Sequence, residues 1–318
     1  MKDYLLDAAV CLRRNYEDLP FDCLDNEETA RRVNERAVVA LERSGNTYAY
    51  LLPANMSAEK RELLQSRRLL TADAQESAYG AAYLRTDERV CVETGGEDHL
   101  AVMACDPDGD VMYCLKCCRR VVEQLKDTGR MAQSGQYGYL TARPSDAGTG
   151  LRASVTLHLP LTVMLKQLPA AMKVAAMNGM VLRGLGNGLC LLENRVTMGA
   201  EDEELLQRLL ETARKLCELE AKLRARARER QEEAVLDKVW RAYAAARYAR
   251  RITKTEAMQT WSALTLGLSL AEMPYDQKGL NDLWEIAHLP PEKLRGTEGK
   301  TPDSVRADRV RTLFDGGE

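Results

Sequence analysis

Residues 141–160 decide the fold, and they read TARPSDAGTGLRASVTLHLP. The first half is a glycine-punctuated loop, and the second half alternates apolar and polar side chains at period two, which predicts a half-buried strand. The apolar side of this alternation consists of Ala153, Val155, Leu157 and Leu159. We expect the backbone amides of Gly148, Thr149 and Gly150 to point at one anion. Arg152 beside them offers a planar fork for phosphate or carboxylate, and an ordinary loop before a strand is the alternative.

The composition is that of a soluble globular protein, with 45% hydrophobic and 29% charged residues and a net charge of −3. This balance argues against general binding to nucleic acid or membrane surfaces. No signal peptide and no apolar run long enough to span a bilayer are visible. The nine cysteines and three histidines complete no zinc pattern, so we expect no metal site and free thiols in a reducing cytoplasm.

Periodicity along the chain predicts an α+β domain followed by an all-helical one. Helices are predicted near residues 27–44, 58–70, 114–126, 161–177 and 304–313, and strands near 90–92, 100–104, 137–141, 151–159, 179–183 and 189–197. Residues 1–25 are expected to be irregular, and Asp106–Gly109 is typical of a hairpin turn. Residues 201–250 are expected to be almost continuously helical. We place the boundary near residue 230, which gives domains at 1–230 and 231–318.

The sequence GTGLRASV followed by HLP, within residues 148–160, closely resembles the signature of the ATP:guanido phosphotransferases. The resemblance is strongest to the bacterial branch that phosphorylates arginine side chains in proteins, and it runs collinearly from near residue 7 to the C-terminus. It implies a guanido-kinase-type antiparallel sheet flanked by helices, and a C-terminal helical domain for dimerisation or phosphoarginine binding. It implies ATP with Mg²⁺ as the cofactor if nucleotide is still bound, and otherwise none.

The resemblance places uncharged residues where the family has phosphate-clamping arginines. The family motif S-S-R-x-R-L-A-R-N aligns with the run that contains Ala9 and Cys11, which occupy two clamp positions. The motif N-E-E-D-H-x-R aligns with the run that ends at Ala101, which occupies a third. Glu97 in that run matches the carboxylate that orients the guanidinium and takes its proton. Its neighbours Asp98 and His99 are expected to tie down the loop.

The third motif, C-P-T-N-x-G-T-G-L-R-A-S-V, aligns with residues 143–155 and has Arg143 in place of the reactive cysteine. We expect Arg143 to repel a substrate guanidinium or to reach Glu97 and plug the pocket. The resemblance implies that Arg152 and, in the motif V-R-G-L, Arg183 remain as clamps. The acid-rich loop that follows this motif in the bacterial branch is absent here.

The family's C-terminal motif R-D-x-x-R-A aligns with a run that has Pro302 in place of the first arginine. Asp303 and Arg306 are retained, which implies a weakened phosphoarginine pocket. A helix capped by Thr301, with Pro302 as its first residue, is the structural alternative.

The region 231–318 is also expected to pair subunits, as homodimer or heteromer. Its apolar side chains include Trp240, Tyr243, Met258, Trp261 and Leu264. They would provide association surface, or alternatively fill the domain's own core.

Three hypotheses for function remain. The first is a degenerate guanido kinase, inactive or very weak, that acts in regulation or assembly with an active protein arginine kinase or its activator. The second is an active ATP-dependent protein arginine kinase with a reorganised site. The third is a phosphoarginine-binding adaptor for a Clp-type unfoldase and protease. The lost clamps, the lost cysteine and the shortened loop favour the first.

Overall fold

A computed structural model of the chain describes residues 4–21, 24, 26–72, 74, 76–294 and 299–314. The strands are β1 (Leu5–Arg14), β2 (Tyr48–Leu51), β3 (Ala81–Arg85), β4 (Val90–Thr94), β5 (Leu100–Asp106), β6 (Gln133–Ser134), β7 (Gly138–Tyr139), β8 (Leu151–His158), β9 (Met180–Gly186) and β10 (Leu189–Asn194). The helices are α1 (Glu27–Glu42), α2 (Ala58–Ser66), α3 (Val111–Lys126), α4 (Pro160–Met164), α5 (Leu168–Met177), α6 (Asp202–Glu229), α7 (Glu233–Tyr248), α8 (Lys254–Leu270), α9 (Gln277–His288) and α10 (Pro302–Phe314).

Eight of these strands form one sheet in the order β2-β3-β4-β5-β1-β8-β10-β9. Strand β1 is antiparallel to both of its neighbours, β5 and β8, and β2 to β5 form an antiparallel run. The predicted α+β class, with a large antiparallel sheet flanked by helices, is confirmed.

The prediction that residues 1–25 are irregular is wrong, since β1 is a ten-residue strand between β5 and β8. Residues 22, 23 and 25 of that stretch lie outside the described residues. Strand β1 was missed because both of its faces are covered. Ala8, Ala9 and Val10 are all buried, so its apolar residues run consecutively and show no alternation.

The predicted half-buried strand at residues 151–159 is present as β8, but both of its faces are covered. Ser154, Thr156 and His158, on the polar side, are all buried. Thr156 Oγ1 accepts a hydrogen bond from Arg68 at 3.0 Å, and His158 Nε2 lies 2.9 Å from Ser262 Oγ. The alternation therefore marks a polar buried face that is hydrogen-bonded, rather than a face in solvent.

Several predicted helices end earlier than expected because the backbone turns at a non-glycine residue. Helix α2 ends at Ser66 before Arg68, which has φ of 56°. Lys166, with φ of 57°, separates α4 from α5, and Gln231, with φ of 47°, separates α6 from α7. A left-handed residue that is not glycine leaves no mark in the sequence, so these breaks were not predicted.

The expected hairpin at Asp106–Gly109 is a turn into a helix instead. Gly109 has φ of 82°, and Asp110 then caps α3 by accepting a hydrogen bond from the backbone of Tyr113 at 2.8 Å. The sequence signal for a tight turn was correct, but the element that follows is helical because a side-chain cap starts it.

The described chain divides into two compact units. The first unit comprises Met1–Leu157, Met172–Arg183 and Leu191–Lys215, and the second comprises His158–Ala171, Gly184–Cys190 and Leu216–Glu318. In the first unit, α3 packs on β1 and β5, and α1 on β4. In the second, α7, α8, α9 and α10 pack on one another. Among the described helices, none combines the length and the apolar character that crossing a membrane requires.

Most of the apolar side chains that were considered for subunit pairing lie inside the second unit. Tyr243, Met258, Trp261 and Leu264 are buried, and Trp240 is 46% exposed. Four of the five therefore fill the core, which was the alternative, and they offer no surface for association.

Candidate functional site

A cavity of about 550 Å³ in the first unit brings together the predicted site residues of several strands. Glu97, Arg143, Arg152 and Arg183 all line it, and so does the floor formed by β1. Their proximity is the arrangement expected from the sequence, while the roles given to them remain predictions.

Two of the three loop residues expected to bind an anion are placed elsewhere. Gly148 and Thr149 line a different cavity of about 570 Å³. The amide of Gly148 donates to Tyr139 O at 3.0 Å, and that of Thr149 donates to Thr197 O at 3.0 Å. In this structure both amides are therefore engaged by carbonyls of the chain, which hold the loop in place, and their expected role in anion binding stays a prediction.

Gly150 and Arg14 have structural roles beside that loop. Gly150 has φ of 63°, and a Cβ added there would lie 2.7 Å from Arg13 O, so only glycine permits this approach to β1. Arg14 is buried, its guanidinium stacks 3.6 Å above the ring of Tyr139, and it donates to Thr149 O at 2.9 Å. Its cation is used to hold the loop against the sheet.

The floor of the cavity is apolar where the family resemblance places arginines. Ala9 and Ala101 are buried, and both belong to a cluster that also contains Met103 and is packed against Cys11. The register places Cys11 opposite Met103, which lines the cavity. The three positions themselves are therefore uncharged, and the cation that β1 contributes to the cavity is Arg13, which is paired with Asp98.

Cys11 does not supply the missing nucleophile. It is partly exposed at the cavity floor, but protein surrounds its thiol on most sides. This burial raises the pKa of Cys11 to about 11, despite the opposing effect of Arg13. The group is therefore a neutral thiol near pH 7.

Arg143 and Glu97 form a close ion pair at the rim. Arg143 Nε lies 2.6 Å from Glu97 Oε2, with 53% and 25% of the two side chains exposed. Within the described part of the chain, Glu97 Oε2 has no hydrogen-bond partner of good geometry, so the contact is electrostatic rather than an aligned hydrogen bond. The pairing expected from the sequence is present, and the carboxylate that would orient a guanidinium already has one beside it.

The two retained arginines differ in how firmly they are held. Arg152 Nε donates to Asp146 Oδ1 at 2.8 Å, and Nη1 donates to Asn194 O at 2.9 Å. Arg183 is 59% exposed, and its Nε lies 3.9 Å from Glu193 Oε1. Arg183 is therefore the more available cation of the two.

Sequence reasoning missed three residues of the site: Arg13, Arg68 and Asp146. Arg13 and Arg68 line the cavity. Arg68 hydrogen-bonds Asp7 and Thr156 from just beyond the end of α2. Asp146 holds Arg152 from behind. The sequence signal for Asp146 was its position six residues before Arg152 in the same loop. The sequence around Arg68 contains no comparable signal.

Asp98 and His99 tie down the loop that carries Glu97, as expected. Asp98 Oδ1 accepts from Asn15 Nδ2 and from the amide of Ala142, each at 2.7 Å. His99 Nδ1 accepts from the amide of Tyr16 at 2.9 Å, and burial lowers the pKa of His99. The histidine is thus a neutral hydrogen-bonding anchor.

Asp303 and Arg306 lie at the start of α10 in the second unit. Arg306 is 4% exposed, and its Nη1 donates to Asp303 Oδ1 at 2.7 Å and to Ile252 O at 2.8 Å. Thr301 Oγ1 accepts from the amide of Ser304 at 3.3 Å, which confirms the capped helix.

In the part of the chain that the structure describes, no group of three or more histidine, cysteine, aspartate or glutamate side chains is placed to hold a metal ion.

Comparison with known proteins identifies the family. Residues 30–223 match the model of the ATP:guanido phosphotransferase C-terminal catalytic domain, and residues 232–316 match that of the protein-arginine kinase McsB C-terminal domain. The protein-arginine kinase of Desulforamulus reducens is 31% identical over 281 residues, covering 84% of this chain and 79% of that protein. That of Brevibacillus brevis is 30% identical over 327 residues, covering 98% and 91%.

Solved structures with the same fold are guanidino kinases. A lombricine kinase matches 71% of this chain and 68% of its own with a TM-score of 0.61 and 21% identity. The duplicated taurocyamine kinase of Schistosoma mansoni matches 68% of this chain and 33% of its own length, with a TM-score of 0.60 and 23% identity. These likenesses show the fold, and the sequence matches show that the chain belongs to the ATP:guanido phosphotransferase family, in its protein-arginine-kinase-like branch.

Proposed function

We propose that the chain is a catalytically degenerate protein-arginine-kinase-like protein that acts by binding rather than by phosphoryl transfer. The observation that carries this proposal is the 2.6 Å contact between Arg143 Nε and Glu97 Oε2. A second guanidinium entering this confined site would meet the like charge of Arg143. Glu97 would also be less able to orient that substrate and accept its proton.

The lost clamps support the same conclusion on energetic grounds. A charge-assisted contact between arginine and phosphate contributes about 1.5–3 kcal/mol. Each 1.4 kcal/mol lost from the transition state slows a reaction about tenfold. With Ala9, Cys11 and Ala101 at three clamp positions, the deficit is several powers of ten. Of the clamps that the resemblance implies for ATP with Mg²⁺, only Arg152 and Arg183 keep an arginine.

We propose an active protein arginine kinase as the partner, with residues 231–318 as the associating region. The match of residues 232–316 to the C-terminal domain of protein-arginine kinases supports this choice. An adaptor that reads phosphoarginine is the second possibility. It is less favoured because Arg306 is buried and already donates to Asp303 and to a backbone carbonyl.

A phosphorylation assay with two arms tests the proposal. The purified chain is incubated with Mg·ATP and an unfolded, arginine-containing protein, and acid-labile phosphate is measured. The Desulforamulus reducens protein-arginine kinase serves as the active control. We expect no product above background from the chain alone. In the second arm, adding the chain to the protein arginine kinase of its own cell should change that enzyme's rate.

Two outcomes would contradict the proposal. One is robust phosphoarginine formation by the chain alone that the substitution Glu97→Gln abolishes, which would show a rebuilt active site. The other, which concerns only the partner, is an unchanged rate of the active kinase together with no complex by light scattering at micromolar concentration.

A further inference from the structure

The retained arginine of β8 already binds an anion, and the chain itself supplies it. Arg152 Nε donates to Asp146 Oδ1 at 2.8 Å, and Nη2 donates to the same carboxylate oxygen. Arg152 Nη1 donates to Asn194 O at 2.9 Å. All three guanidinium nitrogens are therefore engaged with oxygens of the chain.

Asp146 is held in place and cannot easily yield to a ligand. Only 4% of its side chain is exposed, and its Oδ2 lies 3.4 Å from Arg13 Nε. The turn around it is pinned by Thr197, whose Oγ1 lies 3.0 Å from Ser145 O and 2.6 Å from Ala147 O. Displacing the carboxylate would leave a buried charge without its partners, which is strongly unfavourable.

The other cations of the cavity follow the same pattern. Among the described residues that line it, five are arginines, and each has a carboxylate of the chain as its partner. The pairs are Arg13 with Asp98, Arg68 with Asp7, Arg143 with Glu97, Arg152 with Asp146, and Arg183 with Glu193. A polyphosphate would therefore have to compete with a carboxylate of the chain at each of these arginines, least so at the exposed Arg183.

We propose that Asp146 is the specificity-determining residue of this cavity, an internal anion that occupies Arg152 and thereby excludes nucleoside polyphosphates. The inference rests on the proposed function, since it explains why ATP would not bind although Arg152 and Arg183 are present. It differs in what it predicts, because it concerns equilibrium binding and not turnover.

The substitution Asp146→Asn tests this, since it keeps the shape of the side chain and removes its charge. Asp106→Asn is the matched control. Asp106 is equally buried at 5% exposure, its Oδ1 lies 2.9 Å from Arg89 Nη1, and it is not among the described residues lining the cavity. Isothermal titration with Mg·ADP gives the affinity, and thermal melting shows that each variant is folded.

We expect the wild-type chain and Asp106→Asn to bind Mg·ADP with dissociation constants weaker than about 1 mM. Asp146→Asn should bind at least about tenfold more tightly, because one repulsive charge is removed and a guanidinium is released. Adding Arg152→Ala to Asp146→Asn should abolish the gain. Binding without phosphoarginine formation by Asp146→Asn would support this inference and leave the proposed loss of catalysis intact.

The inference is overturned if folded Asp146→Asn binds no better than wild type, or if Asp106→Asn gains as much. If Asp146→Asn does not fold, the affinity of the wild-type chain for Mg·ADP tests the inference by itself. A dissociation constant for Mg·ADP tighter than about 100 μM in wild type would show that the cavity admits polyphosphates despite Asp146.

Discussion

Two walls of the cavity lack unpaired positive charge for different reasons. The β1–β5 wall consists of Ala9, Cys11 and Met103, which belong to or pack against an apolar cluster. The β8–β10 wall contains Arg152 and Glu193, with Arg183 beside them on β9. On the first wall, the arginines that the family resemblance places at the positions of Ala9 and Cys11 are absent from the sequence. On the second, arginines remain, each with a carboxylate partner.

The difference matters because the two kinds of loss have different energetic consequences. An apolar wall is stabilised by burial of its side chains, so restoring a charge there would require desolvating it without a partner. On the second wall the charges remain, and the attraction of each carboxylate partner offsets the cost of desolvating the arginine. The second loss can be reversed by removing one carboxylate, whereas the first requires rebuilding a core.

The largest effect is expected from truncating the apolar wall. Met103 is 2% exposed, so Met103→Ala should lower the free energy of unfolding by about 2–5 kcal/mol through lost burial and the cavity left behind. Met177, which is 80% exposed on α5, is the matched control. Met177→Ala should change the free energy of unfolding by less than about 0.5 kcal/mol. Denaturant unfolding measures both. Equal, small effects would mean that the β1–β5 wall is not part of the core.

The sequence predicted the large features of this fold because they rest on motifs and strong periodicity. The stretch around Gly150 and Arg152 located the central loop and strand β8. Strands β2 and β3 and helix α9 were missed, and so was β1. In β1 and β3, buried residues on both faces abolish the alternation by which strands are recognised.

The candidate site was predictable only as a set of positions. Aligning the motifs placed Glu97, Arg143, Arg152 and Arg183 together, and the expectation that Arg143 reaches Glu97 was correct. The role of Asp146 depends on where its carboxylate points, which a sequence does not state. The hydrogen bonds of the glycine-loop amides were not predicted for the same reason, since they depend on the fold of neighbouring segments.

The next largest effect concerns the reactivity of Cys11 on the apolar wall. Because burial raises the pKa of this thiol to about 11, only about 1% of it is thiolate at pH 9. Alkylation by iodoacetamide, followed by peptide mass spectrometry, should accelerate about tenfold per pH unit up to pH 9.5 without a plateau. In the denatured chain, where the thiol titrates near its ordinary value, the rate should level off. A plateau below pH 9 in the folded chain would show a solvated cysteine and a polar β1–β5 wall.

The smallest effect is expected at the rim of the paired wall, where Arg143 meets Glu97. Both side chains of this pair have solvent access, so Arg143→Ala should cost less than about 1 kcal/mol in unfolding free energy. Arg152→Ala should cost more, about 1–3 kcal/mol, because the buried carboxylate of Asp146 loses its closest hydrogen-bond donors. The two variants, compared by denaturant unfolding at one ionic strength, separate a rim pair from a buried one. Raising the salt concentration should diminish the Arg143 effect more than the Arg152 effect, because buried pairs are screened much less than exposed ones. If Arg143→Ala proves as costly as Arg152→Ala and insensitive to salt, Arg143 belongs to the protein's structural core. Its contact with Glu97 would then be structural and would not indicate a blocked substrate site.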